Sequence, residues 1–421
     1  MPKLLYVLLD GVGDRPHPSL GGRTPLEAAR TPALDSLAAD GVSGQVYTVG
    51  RGIAPESDIA VFSMLGYSFG EDYPGRGVIE AVGAGVDFKP GDVALRANFA
   101  TVDEEMNIVD RRAGRNLSDD EGRRLAGAIT KSLKLSRRNA SFTFVHTVAH
   151  RAVLSFRADG TPLSGSISNT DPAYAKVRGM GVAKEKVAKA RPLLCVPLDE
   201  TEGARVAALL VNEFTEKSHE ILEKDEVNAL RKSKGFKPAN MILCRDAGNA
   251  LPNIQTLEQK FGRRFAAVAD MPVELGIGSL TGMKVFTSGG VFDYAAKCER
   301  VFDLLRKYDV VYLHIKGPDE PGHDGDAVRK AKIIEGIDSG FFAPLVSSRI
   351  TDDVVVAVSA DHSTPCLLKA HSDDPVPLLL SGSGVRGDGT RRFTEQESKT
   401  GSLGTLLGVQ VLPIAIRYAF G

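Results

Sequence analysis

Lys316 to Asp326 reads KGPDEPGHDGD: four acids, a histidine, two prolines and three glycines in eleven residues, directly after the apolar run VVYLHI. Prolines and glycines argue against a regular helix here, so Asp319 and His323 read as loop neighbours, not as a pair set by helical spacing. Two more carboxylate–imidazole neighbourhoods occur, Asp361 with His362, and His371 followed by Ser-Asp-Asp. Asp10 ends the N-terminal run LLYVLLD. Mixed carboxylate and imidazole donors suit Mn, Zn or Mg ions better than thiophilic ones. The set is too large for one ion, so two adjacent divalent metals are expected. A metal pair commonly stabilises the attacking and leaving oxygens at phosphorus, which calls for a nucleophile. Ser57 follows Pro55-Glu56 and opens a helical pattern through Ile59, Phe62, Ser63 and Leu65. Free N–H groups at a helix start attract phosphate, and a metal-bound serine hydroxyl loses its proton readily. The competing reading of Ser57 is a simple N-cap. His17, His219 and His314 read as structural.

These residues need strands to carry them. The runs LLYVLLD (4–10), VVYLHIK (310–316), VVVAVSAD (354–361) and PLLLSG (377–382) look like strands buried on both faces. Helical patterns such as DYAAKCERVFDLLRKY (293–308) lie between some of them. That alternation predicts an α/β fold, a mostly parallel sheet flanked by helices. Ligands gather at the carboxyl ends of such strands. Here those ends read Asp10, then Lys316 with Asp319 just beyond, then Asp361-His362.

The middle of the chain reads differently. A capping box stands at Ser118–Glu121, followed by the alternating run SFTFVHTVAHRAVLSF and a loop rich in Ser, Gly and Asn at 164–171. An amphipathic helix at 202–222 and a strand MILC at 241–244 complete it. The expected organisation is a discontinuous catalytic domain, 1–89 and 253–421, with an inserted α+β domain at 90–252.

Charge is balanced, with 52 basic and 53 acidic residues among 421, which points to neither nucleic acid nor a membrane surface. The apolar runs are too short to cross a bilayer. MPKLLYVLLD lacks a signal-peptide cleavage region and reads as a strand. Cysteines 195, 244, 298 and 366 are scattered and form no CxxC pair, which disfavours disulfides and structural zinc and makes a reducing cytoplasm the default.

The ordered set DGVGDRP (10–16), APESDIAVFSMLGY (54–67), GPDEPGHDGD (317–326), SADHSTP (359–365) and HSDDPVP (371–377) resembles the alkaline phosphatase superfamily. Within it, the chain is most similar to the archaeal-type cofactor-independent phosphoglycerate mutases. GRGVIEAVGAGV, ATVD, DRRAGR, AHRAVL and SNTDP extend the resemblance along the chain. It implies an alkaline-phosphatase-like fold and interconversion of 3- and 2-phosphoglycerate in glycolysis and gluconeogenesis, without 2,3-bisphosphoglycerate. It also implies one metal among Asp10, Ser57, Asp361 and His362, a second among Asp319, His323 and His371, and Ser57 as transient phosphoryl acceptor.

In that family the inserted domain grips the substrate's carboxylate and hydroxyls. By position the candidates are Arg112 and Arg115 in DRRAGR, His150 and Arg151, Asp171 in SNTDP, and Arg245 after MILC, since the guanidinium fork suits carboxylate and phosphate. Lys316 is a candidate phosphate contact. Two departures from the family pattern stand out: SNTDP replaces a more usual SDTDP, and VFTSGGV (285–291) is short for the glycine-rich loop. A phosphatase or mutase acting on another phosphometabolite is the nearest alternative, and a non-catalytic sensor the more distant one. PESD lacks the sulfatase pattern.

Overall fold

A computed structural model of the chain describes residues 2–68, 73–137, 139–177, 180–183 and 190–421. The chain forms two compact units. The first comprises Met1–Gly70, Ile254–Asp270 and Ile277–Gly421; the second comprises Glu71–Asn253 and Met271–Gly276. In chain order the strands are β1 (Lys3–Leu9), β2 (Val42–Tyr47), β3 (Val93–Val102), β4 (Ile108–Asp110), β5 (Ala140–His146), β6 (Arg151–Ala158), β7 (Tyr174–Val177), β8 (Met180–Ala183), β9 (Met241–Gly248), β10 (Phe265–Val268), β11 (Lys284–Phe286), β12 (Val310–Ile315), β13 (Val354–Ser359), β14 (Val376–Gly382) and β15 (Gly404–Leu407). Among the described residues no helix is long and apolar enough to cross a membrane.

The first unit is built on an eight-stranded sheet ordered β11-β10-β12-β1-β13-β14-β2-β15. β14 alone runs antiparallel to its neighbours β13 and β2; the other pairings are parallel. β12 and β13 are buried at every position, as expected for strands covered on both faces. Helix Tyr294–Leu305 turns Val301, Leu304 and Leu305 inward. Each such side chain contributes roughly 1.5–3 kcal/mol by leaving water. Register then determines where the charged residues fall. Leu9 pairs with Ile315 and Leu8 with Ser359, so Asp10 and Lys316, one residue further on, and Asp361, two residues past Ser359, come to one edge of the sheet.

In the second unit β3 is central, with β6 and β9 antiparallel on its two sides and β5 completing a hairpin with β6. The alternating run read from the sequence is this β5–β6 hairpin. Its core face packs on helix Glu202–Glu223, where Phe142, Phe144 and Phe156 surround Phe214 at 5.3, 5.3 and 5.9 Å. The capping box at Ser118 is formed: Ser118 Oγ accepts from Glu121 N–H at 3.3 Å, and Glu121 Oε2 from Ser118 N–H at 2.9 Å.

Helix Arg76–Gly83 belongs to this second unit, whereas the expected boundary left 71–89 with the first. Gly77 explains it. A Cβ there would lie 2.5 Å from Ala94 O and 2.6 Å from Asp246 O, so only glycine lets the helix lie this close to β3 and β9.

Candidate active site

The proline- and glycine-rich segment after β12 is helical after all. Asp319–Asp324 forms a short helix with Pro318 as its N-cap residue, and Gly325, at φ 80°, ends it. Pro321 falls in the first turn, where a backbone N–H would have no intrahelical partner, so proline costs the helix little there. Asp319 and His323 are therefore an i,i+4 pair, with Oδ1 and Nε2 3.4 Å apart.

Ser57 is the first residue of helix Ser57–Met64, and Glu56 occupies the N-cap position, so Ser57 is not a cap. Its Oγ lies 3.1 Å from His362 Nε2. His362 is the hub of the site. Ligand-capable atoms of Asp10, Asp361 and His362 lie within 4.8 Å of one another, and so do those of Asp319, His362 and His371. The rings of His362 and His371 stack at 3.8 Å, and His323 lies 5.1 Å from His371. The clusters thus share His362, and His323 stands at the margin of the second, its side chain 43% exposed.

Each imidazole has its Nδ1 committed elsewhere: His323 to Lys369 O at 3.1 Å, His371 to Pro55 O at 2.8 Å, and His362 to Thr364 Oγ1 at 3.1 Å. A donor on Nδ1 leaves the Nε2 lone pair for a cation. Asp361 Oδ1 accepts from the N–H groups of Gly11 (3.1 Å) and His362 (3.0 Å). By contrast Asp10 Oδ1 is enclosed and forms no hydrogen bond among the described residues, and Asp361 Oδ2 faces the imidazole nitrogens of His362 and His314 at 3.4 and 3.5 Å. An enclosed carboxylate oxygen without a donor, such as Asp10 Oδ1, is costly. A pair of divalent cations fits this donor set.

The charge pattern points the same way. Burial pushes the Asp10 carboxyl up to about 7, against the pull of Lys316, whose Nζ lies 3.2 Å from Oδ2. Burial also opposes ionisation of Asp319 and Asp361. For Asp319 the His371 hydrogen bond and nearby imidazoles outweigh it, and for Asp361 the His362 and His314 rings do, so both stay below the ordinary carboxylate range. Burial lowers His362 to about 4. It opposes the His371 cation too, but Asp319 raises that group to about 9.

In the second unit Arg96 (β3), Arg151 (β6) and Arg245 (β9) stand on one face of adjacent strands, because Arg96 pairs with Arg245 and Asn98 with Arg151. Glu80 Oε1 receives Arg76 Nε and Arg96 Nε at 3.0 Å each. Asp171, fully buried, takes Arg111 through a two-pronged contact of 2.9 and 2.5 Å and lies 3.5 Å from Arg245. The Arg111 and Arg245 guanidiniums lie 4.9 and 4.5 Å from the Tyr174 ring centre. His150 is held down to about 3 by burial and by Arg151 and Arg112. Burial and Arg115 likewise lower the Arg112 guanidinium. Asp171 and Arg245 therefore meet, while Arg112, Arg115, His150 and Arg151 share a cationic field.

Known proteins have sequences similar to this one. The family described as 2,3-bisphosphoglycerate-independent phosphoglycerate mutase matches residues 38–228. A curated protein of that description from Aeropyrum pernix is 43% identical over the full length of both chains. This chain belongs to the 2,3-bisphosphoglycerate-independent phosphoglycerate mutase family. The Methanosphaera stadtmanae member is 38% identical over 98% of this chain and 97% of its own. Among solved structures, the cofactor-independent phosphoglycerate mutase of Thermoplasma acidophilum superposes with a TM-score of 0.64 at 34% identity, covering all of both chains. A Pyrococcus horikoshii protein superposes with a TM-score of 0.79 at 31% identity, covering 99% of this chain and 97% of its own.

Several residues of these charge clusters escaped sequence reasoning. Arg111, not Arg112, takes Asp171, although the two are adjacent in DRRAGR. Arg76 and Glu80 were legible only as an i,i+4 pair inside GRGVIEAVGAGV. Arg96 and Tyr174 gave no local signal. Lys330, fully buried, binds Asp14 Oδ2 at 2.9 Å and the carbonyls of Gly13 and Thr364 at 3.1 and 2.9 Å, tying together the loops after β1 and β13.

Proposed function

We propose that this mutase interconverts 3-phosphoglycerate and 2-phosphoglycerate, a step of glycolysis and gluconeogenesis, through a phosphoserine on Ser57 at a two-metal site. The observation that carries the reading is the position of Ser57 Oγ, 3.1 Å from Nε2 of His362, the residue common to both carboxylate clusters. Asp10, Ser57, Asp361 and His362 would hold one divalent ion (Mn, Zn or Mg), and Asp319, His323 and His371 the other, with His362 within reach of both. The ions supply charge neutralisation at the phosphoryl oxygens and ease deprotonation of the serine.

The chain's own groups do the rest. Ser57 Oγ attacks phosphorus, the bond to the C3 oxygen breaks, and that oxygen takes a proton. The C2 hydroxyl of the same glycerate then gives up its proton and attacks the phosphoserine, and Ser57 Oγ leaves. The N–H groups opening helix Ser57–Met64 favour the phosphate's negative charge, and Lys316 adds a cation. The second unit recognises the carboxylate through Arg245 and Arg151, with Arg112, Arg115 and His150 adding to the field and Asp171 holding Arg245. Because the phosphate is stored on Ser57, no 2,3-bisphosphoglycerate is needed.

Doubly labelled substrate tests this. With label in the phosphate and in the glycerate carbon, mixed with unlabelled substrate, product should keep both labels together. Scrambling between molecules would indicate an exchanging transferase. Free phosphate forming as fast as 2-phosphoglycerate would indicate a hydrolase.

A further inference from the structure

Thr364 is fully buried and lies between the two carboxylate clusters. Its Oγ1 donates to Asp319 Oδ1 at 2.7 Å and stands 3.1 Å from His362 Nδ1. A hydroxyl carries one proton. Once that proton is given to Asp319, the oxygen can only accept from His362, so the imidazole proton must sit on Nδ1. Nε2 then presents its lone pair to Ser57 Oγ and to the Asp10–Asp361 cluster.

We propose that Thr364 is a positioning residue: it locks His362 as the Nδ1–H tautomer and links the Asp319 carboxylate to the same hydroxyl, so that both clusters face their ions in one arrangement. This rests on the two-metal reading above. The backbone of Thr364 is fixed by other groups, its N–H donating to Gly13 O at 3.0 Å and its carbonyl accepting from Lys330 Nζ at 2.9 Å. The side chain also fills the space between two glycines. A Cβ on Gly11 would come within 2.7 Å of Oγ1, and one on Gly322 within 2.8 Å of Cγ2. Threonine supplies the hydroxyl and the methyl together. Valine keeps the shape and removes only the hydroxyl, while serine keeps the hydroxyl.

The test uses the full chain, stripped of metal and titrated with Co2+ alone, reading calorimetric stoichiometry and the visible spectrum. Wild type should take up two equivalents. Thr364→Val should weaken uptake roughly 10- to 100-fold and alter the spectrum, as loss of a group that orients a ligand does. Thr364→Ser should restore both. Nitrogen NMR of His362 in metal-free wild type should report the Nδ1–H tautomer, and this needs no variant to fold. The Nε2–H tautomer there, or Co2+ uptake by Thr364→Val equal to wild type, would overturn the proposal. Uptake of one equivalent by wild type would refute the two-metal reading, while the tautomer measurement would still decide the role of Thr364.

Discussion

Replacing Lys330 by methionine removes one charge from a pair in which both side chains are fully buried. Asp14 keeps two backbone donors to Oδ1, Arg15 N–H at 2.8 Å and Cys366 N–H at 3.1 Å, but loses the ammonium at 2.9 Å. The carbonyls of Gly13 and Thr364 lose the same partner. Breaking a buried pair and leaving one charge uncompensated costs about 3–5 kcal/mol. For a unit of this size that is about 2–4 °C of melting temperature per kcal/mol, so a fall of roughly 6–20 °C is expected. The measurement is thermal and urea unfolding of metal-free protein followed by circular dichroism. Adding Asp14→Asn should recover part of the loss, because the residual charge is gone while the carbonyls stay unpaired. A fall below about 1 kcal/mol in Lys330→Met would refute the reasoning, since it would mean that water reaches Asp14 or that the loops do not depend on the pair. Wild-type activity in a fully folded Lys330→Met would separately show that these loops do not position Asp10 and Asp361.

Ser57→Ala should lose mutase activity by roughly 10^4-fold or more and form no phosphoprotein with substrate, as mass spectrometry would show; retained phosphorylation at another residue would reassign the nucleophile. Arg245→Met should lower kcat/KM for phosphoglycerate about 30-fold or more, a bound carboxylate's charge-assisted contact being worth about 2–3 kcal/mol, while cleavage of p-nitrophenyl phosphate changes little. Equal losses on both substrates would move Arg245 into the phosphorus chemistry. His371 is raised from its usual 6.5 to about 9, so its contribution is fully present below pH 6.5 and is lost as pH rises through about 9. Urea titrations of the metal-free protein should show up to about 3 kcal/mol lost across that window, and His371→Gln should flatten the slope. An unchanged slope in the variant would mean that other groups carry the effect.

Some of this was decided by the chain's local chemistry. Strands buried on both faces announce themselves as unbroken apolar runs, and the charged residues that end three of them had to emerge at the carboxyl edge of a parallel sheet. Asp10, Lys316 and Asp361 do so because β12, β1 and β13 are neighbours in register. The Ser118 capping box and the alternation of the run that forms β5 and β6 were legible for the same reason, since each is written within a few residues or a period of two.

What the sequence left open depends on groups far apart in the chain. Proline and glycine discouraged a helix at 319–324, yet their order, prolines at its start and glycine at its end, allows one, and tertiary packing chose it. His362 serves both clusters only because β13 lies beside β1 and its loop reaches the helix at Asp319. Arg96, Arg151 and Arg245 share a face because β6 and β9 flank β3, a pairing no local period encodes. Arg111 takes Asp171 while Arg112 does not, although both are arginines in one motif. Residue type sets which contacts a side chain can make. Which one it makes is settled by where the rest of the chain brings the partner.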